Sequence, residues 1–306
     1  MPNRPALAPD IFIHDMLPRF SAPVDRRAFL QLGGACLCFT AMHSMASPSF
    51  AGDESRYRKE ASYYSRLPDK LVQCRLCPRG CVVPPGERGF CLVRENRAGT
   101  YYTLVYSRVV AQHIDPIEKK PFFHFLPGTV AYSVASGGCN VNCKFCQNWQ
   151  ISQARPEDLR EEYLPPPEIA VQARDNRCRT IAYTYSEPIV FYEYVMDAAE
   201  AGHREGVRSV MVSNGFIQQE PLRGLCDRLD AIKIDLKSYS EAYYRDVVRG
   251  ALKPVLETIA TARRRAKWLE VVYLVVPTLN DSDADFRNMA RWMKSDIGTD
   301  VPVHLD

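Results

Sequence analysis

The stretch SGGCNVNCKFCQNWQ, residues 136–150, places three cysteines in a short segment directly after an apolar run. The cysteines are Cys139, Cys143 and Cys146, so three residues separate the first pair and two residues separate the second pair. The preceding run TVAYSVAS, residues 129–136, is typical of a buried strand. In a parallel α/β fold, the loop after such a strand lies at the carboxyl edge of the sheet, where functional sites are built.

Three thiolates at this spacing suit an iron–sulfur cluster better than a structural zinc ion. A structural zinc site is closed by four ligands, and the neighbouring Gln147 and Asn148 are poor zinc ligands. A [4Fe-4S] cluster held by only three thiolates leaves one iron open, and an open iron can bind a further molecule. The alternative interpretation is a group of buried structural thiols.

Further apolar runs alternate with stretches of helical periodicity through the rest of the chain. Strands that alternate with helices predict parallel βαβ units, which close into a full or partial barrel. We therefore expect an α/β core over residues 129–306 in the form of a partial (β/α)6 barrel, apparently truncated at the sixth strand. The other runs are residues 179–186, 208–214, 230–236 and 269–277, and VPVHLD at 301–306 begins the sixth strand.

A second cysteine pattern, C-x2-C-x3-C-x9-C, precedes this core and consists of Cys74, Cys77, Cys81 and Cys91. Four thiolates can close a tetrahedral zinc site or hold a second iron–sulfur cluster. The stretch PPGERG between the third and fourth cysteines predicts a turn that folds the chain back. We expect a cysteine-rich N-terminal module over residues 71–128 with a structural metal, and we favour zinc over an electron-relay cluster. Within it, YYTLVYSRVVAQHI at 101–114 alternates as a pair of strands would.

Composition narrows the classes of function. The 306 residues include 39 basic and 36 acidic ones, so charge makes no strong case for binding nucleic acid or an anionic membrane. The 11 cysteines are an odd number, and their close spacings favour metal ligation over a disulfide framework.

The N-terminal segment has the features of an export signal. In residues 1–51, Arg26 and Arg27 are followed by Phe29, Leu30 and a weakly apolar run, which is typical of a twin-arginine signal. The alternative is a disordered leader or a misplaced start codon. Residues 52–70 are polar, and we expect a linker with a short helix there.

The motif C-x3-C-x2-C with an aromatic residue, Phe145, before its last cysteine resembles the signature of the radical S-adenosylmethionine (SAM) superfamily. This resemblance implies that the open iron of a [4Fe-4S] cluster binds SAM, and that an electron from the cluster releases a 5′-deoxyadenosyl radical. The stretches at 74–99 and 115–129 resemble more closely the radical SAM enzyme of the AmmeMemoRadiSam system, itself similar to pyruvate formate-lyase activating enzymes. The resemblance does not identify a substrate.

Other strand ends match motifs that contact SAM in the superfamily. Glu187 takes the position of the superfamily's Gly-Gly-Glu stretch, which binds the SAM ammonium, although a Glu-Pro pair is also a common helix start. SNG at 213–215 resembles the Thr-Asn-Gly turn, and its alternative is a plain turn. KIDLK at 233–237 resembles the Asp-Leu-Lys of glycyl-radical-enzyme activases. The resemblance thus implies these SAM contacts: Phe145, Glu187, Ser213, Asn214, Asp235 and Lys237.

The resemblance also implies partners and a compartment. An electron donor such as flavodoxin or ferredoxin is expected, together with Memo-like and AMMECR1-like proteins, and no nucleic acid. Because SAM and low-potential electrons are supplied inside the cell, we expect a cytoplasmic or inner-membrane-tethered protein, with twin-arginine export as the alternative. A zinc-binding interaction protein and a non-catalytic truncated relic are the other classes that remain. The polar residues Glu118, Lys119, Lys120 and His124 are interpreted as a solvated face.

Overall fold

The computed structural model describes residues 54–306, so the predicted leader with Arg26 and Arg27 lies outside the described residues. The strands are β1 (Lys59–Glu60), β2 (Tyr64–Arg66), β3 (Val72–Cys74), β4 (Val82–Val83), β5 (Arg94–Arg97), β6 (Thr100–Thr103), β7 (Arg108–Val109), β8 (Ala111–Pro116), β9 (Val130–Ala135), β10 (Glu162–Tyr163), β11 (Thr180–Tyr183), β12 (Arg208–Ser213), β13 (Ala231–Asp235), β14 (Leu269–Tyr273) and β15 (Val303–Leu305). The α-helices are α1 (Trp149–Ser152), α2 (Pro166–Asp175), α3 (Tyr192–Arg204), α4 (Gln219–Arg228), α5 (Glu241–Tyr243), α6 (Leu252–Arg265) and α7 (Asp283–Trp292).

A seven-stranded sheet with the order β15-β14-β13-β12-β11-β9-β8 forms the centre of the structure. Strands β9, β11, β12, β13, β14 and β15 are parallel to one another, and β8 is antiparallel to β9. Strands β11 and β14 are buried along their whole length, which explains why their sequences are almost continuously apolar. The predicted alternation of parallel strands and helices is therefore present.

The sheet is open within residues 54–306. Strands β8 and β15 are its two edges and do not pair with each other, so the barrel is partial. The helices pack in neighbouring pairs, α2 against α3 and α4 against α6. Across residues 54–306, every helix is too short or too polar to cross a bilayer.

A segment after β8, residues 121–125, reaches β14 and β15 near the opposite edge of the sheet, where a buried carboxylate holds it. Glu270 on β14 is fully buried and accepts the backbone N–H groups of Phe123 at 3.1 Å and His124 at 3.2 Å. The Trp268 indole N–H donates to the same carboxylate at 2.9 Å, and His304 Nε2 on β15 lies 2.7 Å from it. This segment therefore joins β8 to β14 and β15 without strand pairing.

The N-terminal part of the described chain differs from the expected linker. Residues 52–70 contain β1, which pairs with β6, and β2, which pairs with β3, together with two short 3-10 turns. Most residues of these two strands are only partly buried, so their sequence has the polarity of a linker. A polar composition thus concealed two short strands.

The expected strand pair at 101–114 is wrong in its partners. Strand β6 pairs with β1 and β5, β7 pairs with β10, and β8 pairs with β9 of the central sheet. Alternation of apolar and polar residues marks a strand but carries no information about its neighbour. Since β8 lies within residues 71–128, the expected boundary at 128/129 does not separate two sheets.

Candidate functional site

One cavity of about 660 Å³ lies at the carboxyl ends of the parallel strands. Its lining brings together residues from the cysteine segment after β9 and from the ends of β11, β12 and β13. All of the residues that the sequence assigned to the cluster and to SAM line it: Cys139, Cys143, Phe145, Cys146, Glu187, Ser213, Asn214, Asp235 and Lys237.

Backbone hydrogen bonds hold the cysteine segment in place. The N–H groups of Asn142 and Lys144 donate to the carbonyls of Val248 at 3.2 Å and Val247 at 3.0 Å. The N–H of Gly138 donates to the carbonyl of Ile151 at 2.9 Å. The positions of the three thiols therefore depend on backbone contacts rather than on their own side chains.

The spacing of the sulfurs of Cys139, Cys143 and Cys146 is compatible with a cluster of several irons. In residues 54–306, three metal-ligating atoms within 4.8 Å of one another occur at His124, Glu270 and His304, and at neither group of cysteines. Thiolates that share one zinc ion at about 2.3 Å lie within about 4 Å of each other. Cys139, Cys143 and Cys146 are spread more widely around an open cavity, as a cluster of several irons requires.

Glu187 closes one side of the cavity and is 3% exposed. Its carboxylate accepts the Ser213 hydroxyl at 2.7 Å, the Asn214 N–H at 2.9 Å and the Ile189 N–H at 3.2 Å. Burial nevertheless raises the pKa of this carboxyl to about 7, against the effect of these donors. Glu187 caps the turn Pro188–Phe191 and also lines the cavity, so the helix-start interpretation of the Glu-Pro pair is confirmed and the SAM contact stays a prediction.

Asp235 ends β13 with a lysine on each side. Lys237 donates to it at 2.7 Å, and Lys233 donates to its other oxygen. Burial opposes ionisation of Asp235, but the two ammonium charges outweigh it and lower the pKa of the carboxyl. One positive charge remains in excess at this wall, which suits an anionic group such as a carboxylate.

Asn214 connects Glu187 to the cysteine segment. Its side-chain N–H₂ donates to Asn140 Oδ1 at 2.9 Å and lies 3.8 Å from the sulfur of Cys139. The turn that places it requires glycine at the next position, because Gly215 has φ +71° and a Cβ there would lie 2.8 Å from a methyl of Ile234. The SNG turn therefore orients a donor toward the sulfur of a candidate metal ligand, and such a hydrogen bond would fix the orientation of that ligand.

Sequence reasoning missed a buried polar network on another wall. Lys120 is 2% exposed, donates to Asp115 at 2.6 Å, and lies 4.1 Å from the ring centroid of Tyr185. Lys119 donates to the same carboxylate at 2.7 Å, and Lys119, Lys120 and Tyr185 line the cavity. The expected solvated face is thus wrong for Lys120, because a run of charges does not show which lysine turns inward.

The second cysteine group encloses a separate space of about 20 Å³, lined by all four cysteines together with Arg79, Arg94 and Tyr101. The N–H of Cys74 donates to the carbonyl of Cys81 at 2.9 Å, so the chain folds back between them. Burial raises the pKa of the Cys77 thiol to about 12 and that of Cys91 to about 11. Metal binding here would therefore release protons.

Comparison with known proteins identifies relatives along most of the core. The family model of the radical SAM superfamily matches residues 133–293. Uncharacterized protein MJ0808 of Methanocaldococcus jannaschii is 42% identical over 247 residues, which are 81% of this chain and 73% of that protein. Pyruvate formate-lyase 1-activating enzyme of Escherichia coli is 22% identical over 176 residues, which are 55% of this chain and 70% of that protein.

Two solved structures resemble parts of this chain in fold. A radical SAM methyltransferase from Sphaerobacter thermophilus has a TM-score of 0.45 and 18% identity, over 59% of this chain and 56% of that chain. QueE from Escherichia coli has a TM-score of 0.42 and 12% identity, over 65% of this chain and 83% of that chain.

Proposed function

The chain belongs to the radical SAM superfamily and is an enzyme of that family, and from this premise we propose that it cleaves SAM at the cavity beside Cys139, Cys143 and Cys146. The family implies a [4Fe-4S] cluster and SAM as cofactors. When bound, they supply a 5′-deoxyadenosyl radical by reductive cleavage of a C–S bond of SAM. The observation that carries the proposal is that every residue assigned to either cofactor lines this one cavity.

The residues of this chain have distinct roles in the proposal. The three thiolates would hold the cluster and leave one iron without a protein ligand, which is where SAM would bind. The carboxylate of Glu187 takes the ammonium of SAM, and the excess positive charge of Lys237 and Lys233 beside Asp235 takes its carboxylate. The surrounding walls exclude water from the radical.

The reaction is hydrogen abstraction from a substrate, in the manner of a glycyl-radical activase. The similarity to a pyruvate formate-lyase activating enzyme and the KIDLK motif support this role. We assign the chain to the radical SAM enzymes of the AmmeMemoRadiSam system on the stretches at 74–99 and 115–129, with Memo-like and AMMECR1-like proteins as partners. Flavodoxin or ferredoxin is the proposed electron donor.

A second metal centre is part of the proposal. Cys74, Cys77, Cys81 and Cys91 supply four thiolates around one enclosed space, which is the number that a closed zinc site or a fully ligated iron–sulfur cluster requires.

The test is formation of 5′-deoxyadenosine and methionine by the full chain after anaerobic reconstitution with iron and sulfide. We expect Cys143→Ala to abolish both products and the visible absorbance of this cluster, since two thiolates do not hold it. Cys226→Ala, which removes a buried thiol outside both groups, is the matched control and should retain full turnover. Normal SAM cleavage by Cys143→Ala would refute the proposal.

A further inference from the structure

We propose that His124, Glu270 and His304 form a binding site for a divalent transition-metal ion of the Zn²⁺ class, with a water molecule as the fourth ligand. These residues line neither cavity described above, and the site does not rest on the proposed function. Two imidazoles and one carboxylate are a ligand set that zinc takes in proteins, at about 2.0–2.2 Å from each ligand atom. Among residues 54–306, they are the one group in which three metal-ligating atoms lie within 4.8 Å of one another.

The central sheet places two of the three ligands on one face. Glu270 and His304 lie on the neighbouring parallel strands β14 and β15, and the register pairs His304 with Val272. Side chains two residues apart on a strand point to the same face, so Glu270, Val272 and His304 share one face. His304 Nε2 accordingly lies 2.7 Å from Glu270 Oε2, and only 13% of the His304 side chain is exposed. The sheet therefore fixes both of these ligands.

The third ligand, His124, is held beside them by its own backbone. Its N–H donates to Glu270 Oε1 at 3.2 Å, and its imidazole Nδ1 lies 3.6 Å from Glu270 Oε2. The imidazole rings of His124 and His304 have centroids 5.5 Å apart. Ligand atoms of one tetrahedral zinc ion lie about 3.3 Å from one another, which is between the 2.7 Å and 3.6 Å contacts of Glu270. Because 56% of the His124 side chain is exposed, it can turn toward the ion, and solvent reaches the site along it.

The hydrogen bonds of Glu270 leave one acceptor position for two imidazoles. A carboxylate has about four acceptor positions, two on each oxygen. Oε1 accepts the backbone N–H of His124 and the indole N–H of Trp268, and Oε2 accepts the N–H of Phe123. The remaining position is on Oε2, and the imidazoles of His124 and His304 both approach this oxygen. A metal ion can serve all three groups because it accepts a lone pair from each, whereas a hydrogen bond at Oε2 serves one imidazole.

Within residues 54–306, no lysine or arginine pairs with the charge of Glu270. Its side chain is fully buried, and its salt bridges in this part of the chain are with the two histidines. Lys233, its neighbour on β13, is paired with Asp235 instead. Buried charges in proteins are paired or coordinate metals. A divalent cation would supply the counter-charge that the neighbouring strands do not provide.

The ion would fasten the segment at 121–125 to one edge of the sheet. His124 belongs to this segment, whereas His304 belongs to the edge strand β15. Strand β15 has three residues and is mostly exposed, so its own burial stabilises it little. A metal ion that bonds to both histidines would hold β15 and the segment together, which is a structural role.

The first experiment measures zinc binding by the reconstituted full chain. Each protein is titrated with Zn²⁺ and freed of unbound ion, and zinc and iron are then counted, so that zinc which replaces iron is recognised. We expect His124→Gln, which changes the most exposed ligand, to bind about one zinc ion fewer per chain than wild type, and His304→Gln to show the same loss. Zinc held by the cysteines is common to these proteins and cancels in the difference.

His203→Gln is the matched control. His203 Nε2 also lies 2.7 Å from a carboxylate oxygen, that of Asp230, but in the described chain no third ligand atom completes a group there. We expect this variant to bind as much zinc as wild type. Equal zinc in His124→Gln and wild type would overturn the proposal and show that His304 only forms a hydrogen bond with Glu270. An equal loss in His203→Gln would also overturn it, because any histidine beside a carboxylate would then suffice.

The second experiment identifies the ligands and the role. In X-ray absorption at the zinc edge, the difference between wild type and His124→Gln should be a shell of nitrogen and oxygen at about 2.0–2.2 Å, and a sulfur shell at about 2.3 Å would overturn the site. Zn²⁺ should raise the urea midpoint of wild type more than that of His124→Gln, since an ion that binds only the folded chain stabilises it. Equal shifts would refute the structural role. Neither experiment uses SAM cleavage, so a chain that does not cleave SAM would refute the proposed function and leave this site in place.

Discussion

At Glu187, two opposing effects act on one carboxyl group. Three donors within 3.2 Å favour the ionised form, whereas burial favours the neutral form and prevails, which places the pKa at about 7. A group with this pKa changes its charge between about pH 6 and pH 8.

We therefore expect SAM binding to strengthen with pH. If the ionised carboxylate pairs with the ammonium of SAM, the ionised fraction rises roughly tenfold between pH 6 and pH 8, and the dissociation constant should fall by a similar factor. Glu187→Gln should bind SAM weakly and without this pH dependence. Anaerobic calorimetry with the reconstituted protein measures both, with Glu220→Gln on an exposed helix as the control. The same pH profile in Glu187→Gln would contradict the assignment.

The ion pairs of Asp235 with Lys233 and Lys237 lead to a prediction about the free energy of unfolding. Asp235→Asn leaves Lys233 and Lys237 without a counter-charge, and breaking such a buried pair costs about 3 kcal/mol of unfolding free energy. Lys233→Met instead leaves Asp235 paired with Lys237 and should be close to neutral. Urea unfolding followed by circular dichroism at matched metal content compares the two, and equal losses would show that the charge balance is not the cause.

At the scale of single elements, the strands of the core were predictable, whereas the partners of the strands in residues 101–114 were not. Each of the six apolar runs contains a strand. Five of these strands are largely buried, and a strand buried on both faces has a nearly continuous apolar sequence, whereas the edge strand β15 is mostly exposed. Short, partly exposed strands such as β1 and β2 lack that signal. Residues of the candidate site were predictable where they lie at a strand end, as Asp235 does. They were not predictable where a side chain turns inward from a loop, as Lys120 does.

The loop between β9 and the first cysteine depends on Gly138. Gly138→Ala would place a methyl 2.6 Å from Val93 and 2.8 Å from the Cys91 carbonyl at a φ of +93°. We expect a loss of at least about 2 kcal/mol in unfolding free energy and reduced iron content at Cys139, Cys143 and Cys146. Gly206→Ala has a similar φ, +72°, with nothing within 4 Å of the new methyl, and should cost only about 1 kcal/mol with full iron content. Equal iron content in the two variants would show that the cysteine segment does not depend on Gly138.

At the scale of the whole molecule, the two edges of the open sheet are linked by side-chain contacts instead of strand pairing. Phe122 packs in an interior cluster with Ile117, Ala131 and Val210. The backbone N–H groups of the next two residues, Phe123 and His124, donate to the carboxylate of Glu270. Strand β8 is one edge of the sheet and β15 is the other. A single carboxylate thus holds the segment that follows β8 against β14 and β15.

Glu270→Gln should therefore destabilise the whole core. An amide retains one acceptor oxygen but directs N–H groups at the donors that met the second oxygen, which costs on the order of 2–3 kcal/mol. Glu257→Gln on an exposed helix position is the control. The urea midpoint of each reconstituted protein measures the effect, and a midpoint in Glu270→Gln equal to that of the control would show that the segment is held by Phe122 alone.

The same segment has a consequence for how this enzyme can diversify. Surface loops normally tolerate insertions and deletions, and many enzymes acquire new substrates by changing loop length. Here Lys120 and Asp115 fix one end of the segment at the cavity, and Glu270 fixes the other end a few residues later. A change of length between these anchors would displace one of them, so this wall of the cavity can evolve by substitution but not by insertion.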